Sequence, residues 1–261
     1  MRIEVFASGS GGNCMLVSEE DTHLLIDAGI SMRRVDSALR QAGLSLRDIA
    51  GVLITHEHSD HVSGLKMLLK YYQLPVYAPH TVAARLGGMI PEALEHMCVV
   101  PVGTPVSVGG LAVTAFHTPH DTDESVGYRV TGSATIALAT DMGQVTDEVY
   151  AGLCGADAAL IESNHDPDML ISGPYPFPLK RRILSDHGHL SNPDCAALAR
   201  RLADSGTKTV ILGHLSRENN RPEIALAETA RALEGTDTAL YCAPVQGRLS
   251  IPVGEEAPCC L

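Results

Sequence analysis

The sequence predicts an α+β protein built in two or four layers, and three observations point there. Short apolar strands broken by glycine and asparagine turns fill the first third of the chain and the stretch 98–140. Helical periodicity recurs in both halves. No low-complexity segment, long linker or tandem repeat separates those halves, so residues 1–261 read as one domain, long enough to bury a substantial core.

Taken in order, strands are expected near 2–6, 13–18 and 23–27, with Ser8-Gly-Ser-Gly-Gly-Asn13 turning the chain between the first two. A helix near 32–42 follows, because Met32, Val35, Ala38, Leu39 and Ala42 share one face and Ser31 can cap its start. A strand near 51–55, a helix near 62–72 and a strand near 75–78 come next. The β-rich stretch holds Cys98-Val-Val-Pro-Val102, Pro105-Val-Ser-Val108, a Gly109-Gly110 turn, and strands over 111–117, 126–131 and 135–139. The last third alternates: strand 158–162, a proline-rich segment, helix 193–204, strand 209–213, helix 222–234, then strands 238–242 and 247–252. For the helix at 193, Asn192 is the expected N-cap, with Pro193 first in the helix and Asp194 in its first turn.

Composition narrows the class. The apolar runs are too short for a membrane span, and Met1-Arg-Ile-Glu-Val-Phe6 lacks the layout of a signal peptide. Seven cysteines without regular spacing make no disulfide framework, so the cytoplasm is the expected compartment. The vicinal pair Cys259-Cys260 lies at the extreme C-terminus, where fraying is expected. A net charge of −12 excludes a generally basic surface that coats nucleic acid. Local basic strips survive that test: Arg33-Arg34, Lys180-Arg181-Arg182, Arg217 and Arg221.

The chemistry concentrates in Thr55-His-Glu-His-Ser-Asp-His61, directly after the apolar run Gly51-Val-Leu-Ile54. A bend after a buried strand lets His56 and His58 grip one ion. Asp60 and His61 then face a neighbouring position about 3.5–4 Å away, the spacing of two-metal hydrolytic sites. Imidazole with carboxylate is a donor set for zinc, manganese or iron. Further ligands are expected downstream. His120 follows the Thr118-Pro119 turn and can aim outward, which leaves His117 to support it. Asp141 ends the apolar run Ile136–Ala139 and supplies a carboxylate able to bridge two cations. Gly-His-Leu-Ser occurs at 188–191 and at 213–216. His214 ends an apolar strand and is assigned to the second ion, while His189 precedes a capped helix and stays free as a proton donor. Glu162, ending its own strand, can hold His189 cationic. Asn164 and His165, with Ser191, Arg217 and Asn220, are the expected substrate contacts.

His56-x-His-x-Asp-His61 with His120, Asp141 and His214 resembles the metallo-β-lactamase superfamily, in which His117-Thr-Pro-His120 looks like a shortened His-Thr-Pro-Gly-His turn. The resemblance implies a four-layered αβ/βα sandwich of two mixed sheets flanked by helices. It implies one metal on His56, His58 and His120, the other on Asp60, His61 and His214, and Asp141 bridging, with Asp27 behind the metal loop. Ser8-Gly-Ser-Gly-Gly-Asn-Cys14, Glu162-Ser-Asn-His-Asp166, Gly188-His-Leu-Ser-Asn192 and His214-Leu-Ser-Arg-Glu-Asn-Asn220 further resemble the YycJ (WalJ) group, bacterial cytoplasmic proteins regarded as 5′-to-3′ exonucleases or phosphodiesterases acting on DNA. The order Glu162, His189, His214 is similar to the tRNA 3′-processing endonucleases (RNase Z), where a glutamate-supported histidine protonates the leaving oxygen. No long insert follows Asp141, so the clamping domain of the larger superfamily nucleases is absent.

The expected reaction is hydrolysis of a phosphodiester, in DNA or RNA, by a protein with two divalent ions. Asp60 orients the nucleophile and His189 is the acid. One alternative is a small-molecule hydrolase on the same centre: a cyclic phosphodiesterase, thioesterase or lactonase. Another is a metal-bound regulatory protein with vestigial activity.

Overall fold

A computed structural model describes residues 1–254; Cys259 and Cys260 lie outside the described residues. The strands form two seven-stranded mixed sheets. The first is assembled from β1 (Arg2–Ala7), β2 (Cys14–Glu19), β3 (Thr22–Ile26), β4 (Ile49–Leu53), β5 (Val76–Ala78) and β6 (Met97–Val99), and β14 (Leu249–Pro252) returns to pair with β1. The second holds β7 (Val106–Val108), β8 (Leu111–His117), β9 (Val126–Thr131), β10 (Thr135–Ala139), β11 (Ala158–Glu162), β12 (Thr209–Gly213) and β13 (Ala239–Cys242). Each sheet starts antiparallel and turns parallel, from β3 to β6 in one and from β10 to β13 in the other.

Alternation along the strands builds the layers. Met15, Val17, Leu24 and Ile26 point into a core between the sheets, where they meet Ile136, Leu138 and Leu160. Cys14, Leu16 and Leu25 point the other way, against α1 (Met32–Gln41), α3 (Leu65–Tyr71) and α4 (His80–Met89). On the second sheet, Ala137, Ala139 and Ile161 face α5 (Asp147–Leu153), α8 (Asn192–Asp204) and α9 (Pro222–Ala232). The order is therefore helices, sheet, sheet, helices. Strands buried on both faces read as unbroken apolar runs, which is why they were visible in the sequence.

Several expectations change. The strand expected near 51–55 ends at Leu53, so Ile54 to His58 form a loop that carries His56 and His58, while Asp60 and His61 sit in the short helix that follows. The helix expected near 62–72 is two, α2 (Ser59–Val62) and α3, broken at Gly64. The Gly64 amide donates to the Ala28 carbonyl at 2.8 Å, and a Cβ there would overlap the Ile30 carbonyl. Ser31 sits at the start of α1 but its side chain makes no capping bond. Asn192 is not the N-cap of α8. Ser191 is, its hydroxyl accepting the Asp194 amide, and Asn192 is turned into the protein instead. The proline-rich stretch holds α6 (Pro167–Ser172) and α7 (Phe177–Ile183), each with proline in its first turn, where a missing N–H costs nothing.

Candidate metal centre

The C-terminal ends of β3, β4, β10, β11 and β12 deliver the polar side chains. Three of those residues take a left-handed backbone within two residues of their strand ends: Asp27 (φ 60°), Asp141 (φ 57°) and His214 (φ 54°). That conformation is uncommon outside glycine and tolerated best by Asn, Asp and His. Three such turns converging on one place signal a site that the rest of the fold holds under local strain.

His56, His58 and His120 bring ligand nitrogens within 4.8 Å of one another, and Asp60, His61, Asp141 and His214 do the same with their own donor atoms. Asp141 lies between the groups. Its Oδ2 is 3.2 Å from His61 Nε2, and its Oδ1 is 3.5 Å from His214 Nε2 and 3.8 Å from His120 Nε2. His56 Nε2 and Asp141 Oδ2 are buried without a hydrogen-bond partner. Buried polar atoms are almost always satisfied, so these two fit a coordinated cation. The donor set, histidine and aspartate only, suits a divalent ion.

The imidazoles of His56, His61, His120 and His214 are aimed from behind, as metal-binding histidines require. His61 Nδ1 is 2.7 Å from Asp27 Oδ2, while Asp27 Oδ1 accepts the Thr55 amide at 2.9 Å. His56 Nδ1 is 3.1 Å from Thr55 Oγ1. His120 Nδ1 donates to the Gly188 carbonyl at 3.2 Å. Glu162 Oε1 holds two rings at once, His189 Nδ1 at 2.7 Å and His214 Nδ1 at 2.9 Å. Its Oε2 accepts the Met142 amide at 2.9 Å and the Leu190 amide at 3.2 Å, so this wholly buried carboxylate is satisfied throughout.

Charge follows from the same contacts. Burial pushes His61 and His214 down, but Asp27 and Asp141 beside His61 lift it well above the ordinary value, and Asp141 beside His214 lifts that ring to about 10. Burial works against ionised Asp60 and Asp141, yet the histidines hold both well below the usual carboxylate range: His214 then His61 in each case. His56 and His120 are pushed down by burial and stay neutral, with lone pairs to offer. Burial also opposes the Glu162–His189 pair. Their mutual attraction wins, lowering Glu162 to about 2 and raising His189. Without a cation, ring protons neutralise the carboxylates; a cation would displace them.

The other expected residues scatter. His117 is exposed and faces Glu148, 2.9 Å away, outside the centre. Asn164 donates to the His214 carbonyl at 3.0 Å and lines a cavity over the centre. His165 is buried, its ring nitrogens unpartnered, beneath a bridge to Ser191. Ser191 caps α8. Asn220 donates to the Ser163 carbonyl at 2.8 Å and accepts from Asn192, so it braces the loops from within. Arg217 is exposed, its guanidinium lying against Gly11. Asn13 was read only as a turn residue. Its Nδ2 is 3.0 Å from His61 Nε2 and 3.4 Å from Asp60 Oδ2, while its Oδ1 accepts the Gly9 amide at 2.8 Å. Only its place after the glycine run hinted at this.

Residues 22–215 match the family described as the beta-lactamase superfamily domain. Exodeoxyribonuclease YycJ of Bacillus anthracis is 39% identical over 238 residues, 90% of this chain and 89% of that protein. Exodeoxyribonuclease WalJ of Streptococcus pneumoniae is 36% identical over 230 residues, 86% of this chain and 85% of that protein. The short form of human tRNase Z shares the fold, with TM-score 0.67 at 19% identity, covering 97% of this chain and 100% of that chain. Zn(2+)-bound PqqB from Methylobacterium extorquens does too, with TM-score 0.73 at 19% identity, covering 95% and 99%. No helix of the described residues is long and apolar enough to cross a membrane.

Proposed function

This chain belongs to the beta-lactamase superfamily, in its YycJ/WalJ branch, and on that premise we propose a metal-dependent phosphodiester hydrolase with a dinuclear centre, a 5′-to-3′ exonuclease acting on DNA. The observation that carries the reading is the pair of adjoining ligand groups with Asp141 between them.

His56, His58 and His120 would hold one divalent ion, Asp60, His61 and His214 the other, with Asp141 shared; zinc, manganese and iron all suit these donors. When bound, such ions would bring the pKa of a coordinated water towards ~7 and would offset negative charge on a phosphate. The protein supplies the rest. Asp60 stays ionised at neutral pH and accepts a hydrogen bond from the attacking water, which fixes its direction. Glu162 pins the Nδ1 side of His189 and keeps the ring protonated, so that Nε2 can give its proton to the leaving oxygen. Acyl substrates with good leaving groups need no such acid, which favours a phosphodiester over a thioester or lactone. Asn164 in the cavity wall and the exposed Arg217 are the substrate contacts in this reading, and DNA as substrate rests on the exodeoxyribonuclease relatives. We infer a cytoplasmic location from Cys14, Cys98, Cys154, Cys195 and Cys242, which are free thiols.

Competition among single-stranded DNA, RNA, bis(p-nitrophenyl) phosphate and a thioester, with metal-loaded protein, tests the reading. DNA should be cut best, from its 5′ end. Thioester turnover exceeding that of every phosphodiester would overturn it.

A further inference from the structure

The segment 173–184 belongs to neither sheet and supplies no candidate ligand, yet it is anchored against the centre. A cavity of about 180 Å³ opens there. Besides His120, His189 and His214, it is lined from this segment by Tyr175, Leu179, Arg182 and Ile183. A pocket for phosphate alone would gain nothing from an aromatic and aliphatic wall. A pocket for phosphate joined to a flat apolar group would need one.

The wall is held rigidly. Pro174 and Pro176 flank Tyr175 and restrict its backbone. Lys180 Nζ donates to the carbonyls of Ile171 at 2.7 Å and Gly173 at 2.8 Å, closing α7 back on α6. Arg182 pairs with Asp121, next to His120, and the His189 amide donates to the Ile183 carbonyl at 3.0 Å. The wall therefore keeps a fixed register with the proposed acid. Phe177, two residues beyond Tyr175, is 72% exposed, an aromatic left in solvent on the same segment.

We infer that residues 174–183 form a nucleobase wall, on which the base of the terminal nucleotide stacks against Tyr175 beside Leu179 and Ile183. This rests on the phosphodiesterase reading above and adds a substrate class to it. When the cut leaves the phosphate on the remaining strand, the terminal nucleotide leaves through its 3′ oxygen. Its oxygen then lies at His189, which lines the same cavity. A base stacked inside a duplex has no free face for the wall, so the preferred substrate is a single-stranded or frayed end.

The test is a cycle of two changes with metal-loaded protein: Tyr175→Ala, and a single-stranded oligonucleotide whose terminal nucleotide is abasic. For the wild type, removing the base should raise KM by roughly tenfold, within the range a stacked base is worth. Tyr175→Ala should raise KM on the intact oligonucleotide by a similar factor and should no longer distinguish it from the abasic one. Tyr175→Phe, which keeps the ring, should retain the distinction, and melting curves of all three proteins report folding separately. If the two changes multiply, or the wild type treats intact and abasic ends alike, the wall does not read a base and the inference falls. If the wild type cuts no oligonucleotide of either kind while holding its metals, the phosphodiesterase reading falls and takes this inference with it.

Discussion

At the scale of single residues, the centre is organised by carboxylates that touch no substrate in the proposed mechanism. Glu162 steadies His189 and His214 through one oxygen. His189→Ala should lower kcat by about 10²–10⁴ with metal content unchanged, since a general acid is worth that much and His189 is outside both proposed ligand sets. Glu162→Gln removes the charge that raises the His189 pKa. The imidazolium should then lose its proton at lower pH, and the basic limb of the kcat profile should move to lower pH, as a pH series on metal-saturated protein would show. Asp27→Asn keeps a residue that accepts a left-handed backbone but uncharges the partner of His61, so metal affinity should fall about 10–100-fold in competition with a chelator. The histidines and aspartates of this centre were legible because those residue types crowd into few positions after apolar runs. The double duty of Glu162 and the place of Asn13 were not, because each depends on loops distant in sequence meeting at one point.

Elements position these residues through their ends. α8 starts three residues after His189, and its cap is Ser191 rather than Asn192. Ser191→Ala should cost about 1 kcal/mol, a fall in Tm of roughly 2–4 °C for a chain of this size, read by thermal unfolding of the metal-free protein. Asn192→Ala should cost more, because its side chain bonds Ser163 and Asn220 inside the protein. Most strands were readable to within about two residues, their both-sided burial leaving apolar runs between turn residues. The helices α4 to α7 were missed for a different reason. α4 carries Gly87 and Gly88, α6 begins at Pro167 and α7 has Pro178 as its second residue, so signals that usually mark loops here lie within helices. Asn192 was misplaced because serine and asparagine stand side by side and either can cap; the buried partners of Asn192 decided it.

On the scale of the whole molecule, neither sheet holds the centre alone. β3 and β4 bring Asp27 and the segment His56–His61, and β10, β11 and β12 bring Asp141, Glu162 and His214. The charge of −12 is a property of the whole surface, while the centre gathers histidines around its carboxylates. In the metal-free protein His61 and His214 carry protons that a cation must displace. Metal binding should therefore release protons and tighten as pH rises from acid to neutral, measurable by calorimetry in two buffers of different ionisation enthalpy. The most direct test of the central proposal joins metal analysis to end-specific degradation: protein reconstituted with zinc, manganese or iron, assayed on 5′-phosphorylated single-stranded DNA before and after chelation. The account predicts two ions per chain, stepwise shortening from the 5′ end, and loss of that activity on chelation with recovery on reloading. Full occupancy by two ions without any cleavage, or cleavage that survives removal of the metal, would contradict it.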